Sequence, residues 1–191
     1  MNKRTVTLTD QQYFDILTTI KNGFQYFGRE YQPNNRIATA LTLEANLGLR
    51  ISDILQLCYN DIIKDGDRYR LDIMEIKTGK TRTFTVPEEI REFIDQYRIK
   101  NKMSKEQRLF DLSERQIQKH LKAVCEYLGL SDISTHSFRK YFATQIYINN
   151  DYNIELVRQL LQHSSTAVTQ RYIGIQQKQI EMALQNHIKL L

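Results

Sequence analysis

The sequence predicts a mainly α fold that carries a small antiparallel three-stranded β-sheet, an α+β architecture. Apolar residues recur at helical spacing through most of the 191 residues, and between Asp61 and Val86 the period falls to two. Only two prolines and seven glycines are present, so few positions interrupt the helices. A chain of this length buries a core without disulfides or metal, and a single domain over 1–191 is expected.

The elements follow in order. Thr9 and Gln12 form a T-x-x-Q capping box, after which Tyr13, Ile16, Leu17 and Ile20 share a helical face until Gly23. A second helix starts near Asn35, runs through Leu43 and Ala45, and meets a left-handed terminator at Gly48. Leu49 and Arg50 stand at its exit, and Ser52 is placed to cap a short third helix over "DILQL". Next, "RYRLDIMEI" and "TRTFTV" flank "KTGK", with Asp65-Gly66 before the first of them, which predicts a three-stranded meander. Pro87 at the first helical position, with Glu88 and Glu89 in the first turn, predicts a helix to Ile99. The polar "KNKMSKEQR" reads as a connection. Ser113 and Gln116 form another capping box, and Ile117, Leu121, Val124 and Leu128 make an apolar stripe that ends at Gly129. Further helices are expected over 137–148, 153–162 and 166–173, with a last amphipathic one over 177–190.

Composition narrows the function classes. With 41% hydrophobic and 26% charged residues the chain reads as globular, not disordered or fibrous. No apolar segment follows Met1 and no run of about 18 apolar residues occurs, so a membrane role is not expected and a cytoplasmic location is. Cys58 and Cys125 are far apart among apolar and polar neighbours and suit small core positions. The formal net charge of +5 favours an anionic partner such as nucleic acid without requiring one.

The four histidines, His120, His136, His163 and His187, come without an H-E-x-x-H or C-x-x-C, so no metal site is expected. Ser137 lacks a G-x-S-x-G elbow, and its neighbour His136 cannot face it on one helix, which argues against a serine hydrolase. What remains is a set of cations at element boundaries: Arg50, Lys77, His136 with Arg139, and His163, followed by Tyr172. His136 and Arg139 are three apart and project from one side of a helical turn, which suits a phosphate. Taken singly, each has an ordinary reading: a helix-terminal cation, a solvated turn lysine, a core aromatic among eleven tyrosines.

Together they do not. "LEANLGLRISDILQL", "IKTGKTRTFTVP", "STHSFRKYFATQIY" and "LLQHSSTAVTQRYIG" stand in the order and spacing of the tyrosine recombinase (phage integrase) family, which the chain resembles from about residue 7 to 180. The resemblance implies that family's DNA breaking-rejoining fold and catalytic domain, with Arg50 and Arg139 as the phosphate-binding arginines, Lys77 as the β-hairpin lysine, His136 completing the H-x-x-R pair, His163 as the late histidine and Tyr172 as the nucleophile. Asp53 falls on the acidic residue that supports the site. No cofactor and no metal are implied.

The implied activity is site-specific recombination or integration, in which double-stranded DNA is cleaved and rejoined through a 3′-phosphotyrosyl intermediate, by a homo-oligomer, a tetramer on DNA. A non-catalytic DNA-binding remnant or regulator and a type IB topoisomerase-like relaxing enzyme are the alternatives. The final helix over 177–190 suits docking either on its own core or on a neighbouring subunit. Two features depart from the family. Gln162 replaces the glycine usual before the late histidine, and only a few residues precede the first helix where members carry a separate DNA-clamping domain, so an excised or truncated catalytic domain, core 7–175, is expected.

Overall fold

Capping chemistry sets the helical frame of the computed structural model, which describes residues 5–174 and 184–188. Helix α1 (Asp10–Asn22) opens where Thr9 Oγ1 accepts from the Gln12 amide at 3.2 Å and Gln12 Oε1 accepts from the Thr9 amide at 3.0 Å. Ile16, Leu17 and Ile20 form its buried face. A short hairpin follows, β1 (Phe24–Tyr26) and β2 (Arg29–Tyr31), which periodicity does not announce. Its turn residues Phe27 and Gly28 have φ of 48° and 68°, the double left-handed conformation that usually selects Asn-Gly. Packing holds it instead: the rings of Phe24 and Tyr31 stack at 4.5 Å and Tyr127 lies 4.9 Å from Phe24.

Helix α2 (Asn35–Leu47) is capped by Asn34, whose Oδ1 accepts from the Ile37 amide at 3.1 Å, and ends at Gly48 with φ 59°. The chain then re-enters helix at once. Helix α3 (Ile51–Ile54) begins two residues earlier than the sequence reading, so Ser52 lies within its first turn and Arg50 takes the N-cap position. After a 3-10 turn at Tyr59–Asp61 come β3 (Ile62–Asp65), β4 (Arg68–Met74) and β5 (Thr81–Val86), an antiparallel sheet in that order with Leu71 opposite Phe84. Helix α4 (Glu88–Lys100) has Pro87 as its N-cap, one place before the expected position. Helix α5 (Glu114–Tyr127) carries the expected Ser113–Gln116 box.

The remaining helices are α6 (Thr135–Asn149), α7 (Ile154–Leu161) and α8 (Thr166–Ile173). Two compact units divide the chain, residues 1–142 and 143–191. The first encloses a core of Ile16 and Ile20 from α1, Leu41 and Leu43 from α2, Leu71 and Val86 from the sheet, and Ile117 and Val124 from α5. In the second, α7 and α8 pack together, with Val157, Leu161 and Ile173 buried. Among the described residues no helix is long and apolar enough to cross a membrane. Of the helix expected over 177–190, residues 184–187 are helical and most of the rest lies outside the described residues.

Gly48 is where the backbone leading to Arg50 is most exacting. A Cβ there would sit 2.3 Å from the Phe142 ring on a left-handed backbone. Gly48→Ala is expected to cost about 2 kcal/mol or more in urea unfolding, and a loss under about 0.5 kcal/mol would show the contact yields easily.

Candidate active site

Three guanidiniums gather in the first unit around two buried carboxyl groups. Arg50, on extended backbone at the head of α3, donates through Nη1 to Glu75 Oε2 at 2.7 Å. Arg82, buried on β5, donates to Glu75 Oε1 at 3.4 Å and to the carbonyls of Gly48 and Leu47 at 3.1 and 3.5 Å. Those carbonyls end α2, where the helix dipole favours a cation. Arg139, on α6, is 1% exposed, the largest fully buried side chain among the described residues. Its charge acts on Glu44 of α2, itself buried.

The titration directions report this field. Burial holds the Glu44 carboxyl well above the usual range, against the pull of Arg139 and a hydrogen bond from the Ile51 backbone. Burial also opposes ionisation of Glu75, but hydrogen bonds from Arg50 and Thr78 and the charges of Arg50 and Arg82 outweigh it, and its carboxyl titrates below the usual range. Burial, then the charges of Arg139, Lys140, Arg50 and Lys77, push the His136 imidazole down to about 4. A ring that feels all four cations lies among them.

Lys77 is exposed in the turn between β4 and β5. Asp53, 3% exposed, accepts from the Ile76 amide through Oδ1 at 2.9 Å, so this carboxylate holds the turn next to the lysine. Ser137 is fully buried and its Oγ accepts from the Ser134 amide at 3.1 Å, a bond at the start of α6. The first unit therefore brings together Arg50, Asp53, Lys77, His136 and Arg139.

His163 and Tyr172 belong to the second unit. The His163 amide donates to the Arg158 carbonyl at 3.0 Å, and Arg158 Nη1 returns a bond to the His163 carbonyl at 3.0 Å, which fixes the residue between α7 and α8. His163 Nδ1 lies 3.1 Å from Thr169 Oγ1, which itself donates to the Ser165 carbonyl at 3.3 Å. The half-buried Tyr172 ring meets the imidazole edge to face at 5.1 Å and 75°. Gln162, in place of the family glycine, is exposed with φ 55°.

Sequence reasoning passed over Glu44, Glu75 and Arg82. For the last two a signal existed: period two puts Glu75, just past β4, in step with Leu71 and Ile73, and Arg82 in step with Phe84 and Val86, which places opposite charges on the inward side at the turn end of adjacent strands. Glu44 carries no such mark among the apolar residues of α2.

The sequence matches the family model described as the phage integrase family over residues 6–179. It is 34% identical over 137 residues to the probable integrase/recombinase YoeC of Bacillus subtilis (strain 168), a match covering 68% of this chain and 72% of that one. Among solved structures, the XerH site-specific recombinase bound to palindromic difH substrate superposes with a TM-score of 0.68 at 20% identity, over 96% of this chain and 53% of that one. The catalytic domain of bacteriophage HP1 integrase does so with a TM-score of 0.65 at 19% identity, over 96% of both chains. The fold is thus that of tyrosine recombinase catalytic domains, and the chain spans about half of XerH.

Two outcomes follow from this geometry. An L-residue at Gln162 bears left-handed strain that glycine lacks, so Gln162→Gly should raise unfolding stability by about 0.5–1 kcal/mol, where a decrease would show the glutamine side chain contributes more than the strain costs. For His136 the unfolded ring, near its ordinary 6.5, binds a proton more readily than the folded ring near 4. The stability contributed by the neutral ring is present above 6.5 and is lost as pH falls toward 4. Urea unfolding between these limits should show wild type losing stability more steeply than His136→Asn; parallel curves would contradict the assignment.

Proposed function

The chain belongs to the phage integrase family, the tyrosine recombinases, and from that membership we propose that it is a site-specific recombinase or integrase that cleaves and rejoins double-stranded DNA through a 3′-phosphotyrosyl intermediate on Tyr172. The observation that carries the reading is the cluster of Arg50, Arg139 and His136 in the first unit, where burial and then positive charge depress an imidazole. Forked guanidiniums satisfy the non-bridging oxygens of a phosphodiester as charge builds on them in the transition state. A neutral His136 adds an N–H donor to the same oxygens.

The proposed step balances as follows. Tyr172 Oη bonds to phosphorus and the bond from phosphorus to O5′ breaks. The phenolic proton passes to an imidazole, for which His163 is suited because its ring adjoins Tyr172. The departing O5′ takes a proton from Lys77. A phenol of pKa about 10 is ionised in about one molecule in a thousand at neutral pH, so this proton acceptor and the cationic field supply most of the nucleophilicity. The phosphotyrosyl ester preserves the bond energy, and a second DNA 5′-hydroxyl reverses the step without ATP.

The proposal takes the chain as a catalytic domain acting on DNA in the cytoplasm, as an oligomer when strands are exchanged. XerH was crystallised on its difH substrate in a post-cleavage complex, which supports DNA as the partner of this fold. On nicked duplexes of randomised sequence, wild type should form a covalent protein–DNA species in which the DNA keeps a free 5′-hydroxyl. Tyr172→Phe should form none. Undiminished adduct from the variant would refute the nucleophile, and gel-shift binding with no adduct from wild type would favour a non-catalytic DNA-binding role.

A further inference from the structure

We infer that Glu75 is a positioning residue for the lysine-bearing turn: its buried carboxylate ties the hairpin that carries Lys77 to Arg50, so that leaving-group donor and phosphate-binding guanidinium keep a fixed separation. The inference rests on the roles proposed above for Lys77 and Arg50. Glu75 is 1% exposed just after the end of β4, in step with the apolar Leu71 and Ile73, so an apolar residue would suit burial better than a charge. Its two oxygens are fully engaged. Oε2 accepts from Arg50 Nη1 at 2.7 Å and from Thr78 Oγ1 at 2.8 Å, and Oε1 accepts from Arg82 at 3.4 Å.

Thr78 directly follows Lys77, so one carboxylate oxygen bridges the tip of the turn and the arginine. A second route runs through Arg82, which is held by the carbonyls of Leu47 and Gly48 just before Arg50 in the chain. The base of the turn is closed by Glu75 itself, whose amide donates to the Lys80 carbonyl at 2.9 Å and whose carbonyl accepts from the Gly79 amide at 2.8 Å. Lysine has a long, freely rotating stem, and an exposed turn gives it little restraint of its own. Misplacement of a reacting group by about 1 Å can cost about 10²-fold in rate, so the tether acts on the chemistry without touching DNA.

The test compares leaving groups. A 5′-bridging sulfur departs as a thiolate, whose conjugate thiol has a pKa of about 8.5, and needs no proton donor. Covalent adduct formation by the full chain is measured on nicked duplexes with either oxygen or sulfur at that position. Glu75→Ala should lose about 10²-fold on oxygen and less than about tenfold on sulfur. An equal loss on both, or no loss on oxygen, overturns the assignment. Absence of adduct from wild type on either duplex sinks the underlying reading as well, which separates the two failures. If circular dichroism shows Glu75→Ala unfolded, Glu75→Gln keeps the volume and serves in the same comparison, with the same ratio deciding.

Discussion

Burying guanidinium groups is the constraint to which the rest of the first unit answers. Arg82 and Arg139 are almost fully enclosed, and each would cost several kcal/mol if left without compensation. The compensation comes from three kinds of group: the ionised Glu75, the buried Glu44, and the carbonyls at the end of α2. The Arg82 guanidinium is pushed down to about 10 by burial and by the charge of Arg139, and His136 is driven toward neutrality by burial and by nearby cations. A site that holds more positive charge than its own carboxylates balance is matched to an added anion.

The second unit solves a different problem, presenting a phenol and an imidazole in mutual contact. Short helices joined by a left-handed residue set the pair, and the reciprocal bonds between Arg158 and His163 fix the backbone that carries the ring. Thr169, fully buried, hydrogen-bonds to the ring through Nδ1. The two imidazoles thus sit in environments that differ in kind: burial and then nearby cations hold His136 toward neutrality, and His163 is hydrogen-bonded to a hydroxyl.

Much of this was legible in the sequence, and the parts that were not have physical reasons. Capping boxes at Thr9 and Ser113 and the terminator at Gly48 rest on local hydrogen bonds and backbone conformation, which a short stretch of sequence contains in full. The β1–β2 hairpin has strands too short to show a period and a Phe-Gly turn held by distant aromatics such as Tyr127. The start of α3 depends on Gly48 and Leu49 redirecting the chain, so the nearby Ser52 suggested a cap it does not form. Ordered motifs brought out Arg50, Lys77, His136, Arg139, His163 and Tyr172. Glu44 and Glu75 act through charges remote in sequence and could be recognised only once the arginines they meet were placed.

The central claim is that the buried cations act on the charge of a phosphodiester. It is tested most directly by comparing adduct formation by wild type and Arg139→Ala on duplexes whose scissile group is either phosphate or an uncharged methylphosphonate. The account predicts a loss of about 10²–10³-fold on phosphate and a loss of less than about tenfold on methylphosphonate. Equal losses on the two substrates would contradict it.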